Sequence, residues 1–142
     1  MAATFQCDIV SAETDIFSGS VELLVASALE GDVGICRGHA PLLTSLRPGP
    51  IRLKLENGEE NIYYLSGGYL EVQPHHVSVL ADVALREADM DEQAALAAKR
   101  EAEQALAGSS SETNYAQAAV QLAEAAAQLR TLQALRKKST KF

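Results

Sequence analysis

The chain has 142 residues, 47% hydrophobic and 5% aromatic, with no Trp and a formal net charge of −7. That length and composition suit one ordinary domain or two small ones around an aliphatic core. The acidic balance argues against nucleic acid as a partner, and no apolar run reaches the roughly 18 residues needed to cross a bilayer.

The N-terminal stretch MAATFQCDIVSAE has neither a basic n-region nor an apolar h-region, so no signal peptide is expected. Cys7 and Cys36 are then expected as reduced thiols in a cytosolic setting. In TFQCDIV, Phe5, Cys7 and Ile9 alternate with Gln6 and Asp8, the period of a half-buried strand. SVELLVAS is more continuously apolar, as a strand covered on both faces would be.

The stretch from Asp32 to Leu53 places Cys36, Arg37 and His39 close together, with Gly34, Gly38 and Pro41 as turn formers. A thiol beside an imidazole can be a nucleophile and its base, but no acidic orienter follows. Zinc on Cys36, His39, His75 and His76 would need a second ligand pair to match Cys-x-x-His, and none is present. No Gly-x-Ser-x-Gly elbow occurs, and Ser66-Gly67-Gly68 lacks the Lys and helix of a phosphate loop. Nothing in these residues calls for an enzyme.

PIRLKLENG places Ile51, Leu53 and Leu55 on one face and Arg52, Lys54 and Glu56 on the other, before an Asn57-Gly58 turn. NIYYLSGGYLEVQP supplies a return strand and a further one, broken at Gly67-Gly68. HHVSVLAD adds another, with Val77 and Val79 facing together. Short strands with frequent turns predict an all-β sandwich or barrel.

The composition changes near Arg86. Beyond it there is no Pro and one Gly, and Ala dominates. Asp89 and Glu92 have capping-box spacing, predicting a helix from about Asp89 to Ala107 with Gly108 at its stop. Its apolar positions are Met90, Ala94, Ala97, Ala98, Ala105 and Leu106. SSSETN is a polar turn, and a second helix follows from about Thr113 to Lys138. Its seam is Tyr115, Ala119, Leu122, Ala126, Leu129 and Leu132. The two form an antiparallel hairpin. Alanine lets helices approach closely but buries little area, so the pair should be helical yet marginally docked. Such an element is either structural or a movable arm.

From Arg130 onward there are five basic residues, Arg130, Arg136, Lys137 and Lys138 among them, and no acidic one. They complement the helix dipole, or they form a docking end for an acidic partner.

The segments DIVSAE, IFSG, GDVGICRGHAPLLTSLRPGPIRL, YLSGGYLEVQP, VSVLAD and NYAQAAVQLAEAAAQLR, in this order, closely resemble the epsilon-subunit family of the bacterial rotary ATP synthase. The resemblance implies a two-domain chain: a β-sandwich over residues 1–86 and an antiparallel α-helical hairpin over 87–142. It implies a non-catalytic central-stalk subunit on the cytoplasmic face of the inner membrane. The sandwich would bind the gamma subunit and the membrane c-ring, with Asp32 and His39 in the segment near those contacts. The helices would lift into the head of alpha and beta subunits and block ATP hydrolysis, using Leu122, Leu129 and the basic end. Some family members bind ATP through Ile/Leu-Asp-x-x-Arg-Ala. Here Met90-Asp91-Glu92-Gln93-Ala94-Ala95 stands there, and Ala94 replaces the arginine whose paired donors would meet a phosphate. No ATP binding, and no other cofactor or metal, is expected. Rival readings are a free-standing β-domain with a helical arm for some other partner, and a small Cys36/His39 enzyme.

Overall fold

The computed structural model describes residues 3–108 and 111–139. Nine strands run β1 Phe5–Ser11, β2 Asp15–Ala28, β3 Gly31–Cys36, β4 Leu42–Leu46, β5 Gly49–Leu55, β6 Glu60–Leu65, β7 Gly68–Val72, β8 His76–Ala81 and β9 Ala84–Leu85. The helices α1 Glu92–Ala107 and α2 Glu112–Ser139 follow. The architecture is therefore a β-sandwich followed by a helical hairpin.

The long strand β2 joins the two layers. Its first half pairs antiparallel with β1, Asp8 opposite Ser18, and its second half pairs with β3 and β5. One layer is β2, β1, β8, β7 and β4, with β1 and β8 parallel; the other is β3, β2, β5, β6 and β9. Period-two patterning aims Phe5, Cys7 and Ile9 inward from β1, Ile51 and Leu53 from β5, and Val77 and Val79 from β8. Each fully buried Leu, Ile or Val contributes roughly 1.5–3 kcal/mol, so this core dominates the stability of the chain.

Five described glycines have positive φ, and two of them show most plainly why no other residue serves. Gly58 has φ +87° in the β5–β6 turn, where the Asn57 side chain accepts from the Glu59 amide at 2.9 Å. Gly68 opens β7 with φ +137°, and a Cβ there would lie 1.9 Å from the Leu80 carbonyl oxygen.

The strands and the first helix depart from the sequence expectations at four points. Strand β2 begins at Asp15 rather than near Ser20, because β1 offers it a partner along its first half. Gly34 lies inside β3, paired with Val25, rather than in a turn. The N-cap of α1 is Asp91, whose carboxylate accepts from the Gln93 and Ala94 amides at 3.0 and 3.2 Å. Asp89 instead bonds back to the Arg86 amide and closes a single 3₁₀ turn over Glu87–Asp89. Finally, the buried positions of α1 are Ala95 and Ala102, while Ala94, Ala97, Ala98 and Ala105 are exposed.

On α2, Tyr115 is exposed and the rest of the expected seam is half-buried. The fully buried residues are Ala118, Ala125, Ala127, Thr131, Ala134 and Leu135. They lie on two faces because α2 packs against α1 along its length and also against β5 and β6. Ala95 and Ala102, like Ala118 and Ala125, are seven residues apart, so each pair repeats on one face of its helix. An alanine methyl contributes only about 0.8 kcal/mol on burial, so each alanine contact of the hairpin is weak beside a buried Leu or Ile of the sandwich core.

Candidate functional site

Three surfaces stand out: an open sheet face, one end of the sandwich, and the hairpin with its basic end.

The outer face of β6 is covered. Ile62 packs with Ala134 and Leu135, flanked by Met90 and Leu132, in a small cluster separate from the sandwich core. Tyr64 is 1% exposed beside it. Burial pushes its hydroxyl up to about 12, with the Glu124 charge adding to the shift.

The described helices leave the opposite layer open, packing instead on β5 and β6. Across β1, β8, β7 and β4 the register aligns Val10, Leu80, Tyr69 and Ser45, and Leu43 lies two residues from Ser45 on the same strand face. Leu80, Tyr69 and Leu43 are 53%, 55% and 71% exposed. Val10, Leu80 and Tyr69 form an apolar row, with Leu43 set off from it by Ser45 and Glu71, and clustered exposed apolar residues of this kind mark a candidate interaction surface. Sequence reasoning missed this row. Its signal was present in YLEV, where Tyr69 stands on the face that Glu71 marks as outward.

Beside the row lies a polar array. Asp8 accepts from Ser18 Oγ at 2.6 Å and from Gln6 Nε2 at 3.2 Å, and His76 Nε2 lies 2.7 Å from its other oxygen. Ser78 Oγ is 3.4 Å from His76 Nδ1. Hydrogen bonding, from Ser18 first and then His76, holds the Asp8 carboxyl below the usual range. His76 is thus half-buried and partnered.

At one end of the sandwich, Asp32 sits on β3, exposed and 3.7 Å from Arg47 Nη2. Leu29 beside it is 66% exposed, and a cavity of about 340 Å³ opens there, lined partly by Leu42 and Thr44. His39 follows the other end of β3, so Asp32 and His39 are not brought together. The His39 Nδ1 nitrogen lies 2.7 Å from the Ala40 carbonyl oxygen, and a carbonyl only accepts, so that nitrogen carries its proton. The ring is oriented toward its own turn, and Cys36 ends β3 exposed. Cys7 is buried, which pushes its thiol up to about 12 and makes it inert. Among the described residues no group of three His, Cys, Asp or Glu side chains is placed to hold a metal.

In the hairpin, a groove of about 530 Å³ runs between the two helices. It includes Asp91, Ala94 and Ala95 of the degenerate motif. Asp89, Glu101 and Glu124 add three more carboxylates, and among the described residues its lining holds no Lys or Arg. Met90 points away into the Ile62 cluster, and the Asp91 carboxylate is occupied as the helix cap. Leu122 and Leu129 are half-buried on α2. Arg130 donates to the Pro48 carbonyl at 3.2 Å, and Arg136 donates to the Glu92 carboxylate. Lys137 is exposed. The Lys138 side chain lies outside the described residues.

A sandwich with one face closed by a helical hairpin and the other open, with exposed apolar residues beside a polar array, has the form of a subunit that docks on partners. The ATP synthase Delta/Epsilon chain β-sandwich model matches residues 4–87, and the long α-helix domain model of the same chain matches residues 82–133. The chain is 64% identical over 140 residues to the ATP synthase epsilon chain of Teredinibacter turnerae, covering 98% of this chain and 99% of that one. It is 59% identical over 139 residues to the epsilon chain of Chromohalobacter salexigens, with the same coverage. Its fold matches a chain of the Euglena gracilis mitochondrial ATP synthase OSCP/F1/c-ring assembly at TM-score 0.82 and 22% identity, over 95% of this chain and 83% of that one. A chain of the Tetrahymena thermophila central stalk/c-ring matches at TM-score 0.60 and 12% identity, over 91% and 96%. The chain belongs to the ATP synthase delta/epsilon family as an epsilon-type subunit, and it is not a catalytic one. No described helix is long and apolar enough to cross a membrane.

Proposed function

We propose that this chain couples proton-driven rotation to ATP synthesis and restrains ATP hydrolysis through its C-terminal helices. The observation that carries the reading is the division of the sandwich: one face is lent to a weakly held hairpin, and the other stays free for a permanent partner. On this reading the gamma subunit takes the row Val10, Leu80 and Tyr69 together with Leu43. The c-ring takes the end around Asp32 and Leu29. The alpha and beta subunits of the head meet α2 once it is released, through Leu122, Leu129 and the basic end Arg130, Arg136, Lys137 and Lys138. The subunit then sits peripherally at the cytoplasmic face of the inner membrane. Nucleotide has no part in the switch, because four carboxylates line the groove where a polyphosphate would lie.

The test is a Tyr69→Asp, Leu80→Asp chain titrated with purified gamma subunit. Affinity should fall about tenfold or more, as at other interfaces where an apolar anchor is lost, with an unchanged circular dichroism spectrum. Undiminished affinity would move the stalk to another surface.

A further inference from the structure

We propose that the Glu92–Arg136 ion pair is a latch that keeps the hairpin docked and withholds the basic end of α2 from the head. The proposal rests on the reading that released helices restrain hydrolysis.

Glu92 is the first residue of α1, and Arg136 lies near the C-terminal end of α2. The helices are antiparallel, so these ends lie side by side. The polar turn closes the hairpin at one end by covalent bonds. The ion pair closes it at the other. Each charge also suits its own helix end, an anion at an N-terminus and a cation near a C-terminus. The pair adjoins the cluster of Ile62, Met90, Leu132, Ala134 and Leu135, through which the end of α2 rests on the sandwich.

That seat is small. With little apolar area holding the arm, one polar contact shifts its position measurably. The two side chains are 61% and 39% exposed, so the pair biases the docked state by only about two- to five-fold. A nearly balanced equilibrium responds to a bias of that size.

The latch predicts different effects from breaking the same pair on its two sides. Glu92→Gln opens the latch and leaves Arg136 charged for an acidic partner, so hydrolysis should fall. Arg136→Gln opens the latch but also removes a docking charge, so hydrolysis should fall less or rise. A merely solvated pair would give no such asymmetry.

The experiment uses the full chain with spin labels on Cys36, which is exposed, and on an introduced Gln117→Cys; Cys7 is buried and stays unlabelled. Glu92→Gln should raise the population of long label distances two- to five-fold. Glu103→Gln, the same charge change at an exposed site on α1, should not. The charge swap Glu92→Arg with Arg136→Glu should restore the parent's distance distribution, which separates a latch from damage to folding. ATP hydrolysis by the reassembled enzyme is measured in parallel. An unchanged distance distribution in Glu92→Gln overturns the latch, whatever the hydrolysis rate. A shifted distribution with unchanged hydrolysis supports the latch and overturns instead the reading that released helices inhibit.

Discussion

The guanidinium of Arg130 donates to the carbonyl of Pro48 at 3.2 Å, tying α2 to the turn between β4 and β5. The basic end of the chain therefore works within the docked molecule, before any partner arrives. Steering by charge toward a head and holding by charge against the sandwich draw on the same side chains.

Arg130→Ala should loosen α2 on the sandwich. One lost hydrogen bond is worth about 1 kcal/mol, so amide exchange in residues 127–135 should speed about fivefold. Exchange in β1 and β8 should not change. Equal rates in α2 with and without Arg130 would mean that the bond adds nothing to docking.

Asp8 supplies a pH dependence. Its folded carboxyl is held below its ordinary value by Ser18, His76 and Gln6. The stability it contributes is present above the unfolded carboxyl value and is lost as pH falls through the depressed folded value. Asp8→Asn should lower the melting temperature by about 3 °C at pH 7, and the gap from the parent should close below about pH 4. A gap that stayed constant down to pH 3 would show that the carboxylate charge is immaterial.

How much of this was legible beforehand depended on contrast between neighbours. Phe5, Cys7 and Ile9, or Ile51 and Leu53, alternate with charged or polar residues, so the buried face was plain. In α1, Ala94, Ala95, Ala97 and Ala98 carry the same side chain, and no periodicity distinguishes the buried Ala95 from the exposed others. The cap moved from Asp89 to Asp91 because both residues can accept amide bonds and only the path of the chain decides between them. Gly34 reads as a turn former, but β2 offers a full ladder of partners there and overrides local preference. The Asp8–His76 contact joins residues far apart in sequence, and nothing local to either one announces the other. The motif residues Met90-Asp91 and Ala94-Ala95 are neighbours in the sequence and legible there, whereas the carboxylates around them come together only when the two helices pack.

Those carboxylates lead to a prediction on nucleotide. The isolated chain should give no heat of binding when titrated with ATP at physiological concentration. Ala94→Arg alone should also fail or bind weakly, since one arginine faces four carboxylates in the groove. Micromolar affinity of the unmodified chain would overturn the reading that nucleotide plays no part.

The restraint of hydrolysis by the weakly held hairpin is the central claim, and one rate tests it most directly. ATP hydrolysis by the assembled enzyme is compared between the full chain and a chain ending at residue 86, at equal content of the gamma, alpha and beta subunits. Hydrolysis should be severalfold faster without residues 87–142. An unchanged or slower rate in a fully assembled complex would contradict that claim and leave the hairpin a structural cover for β6.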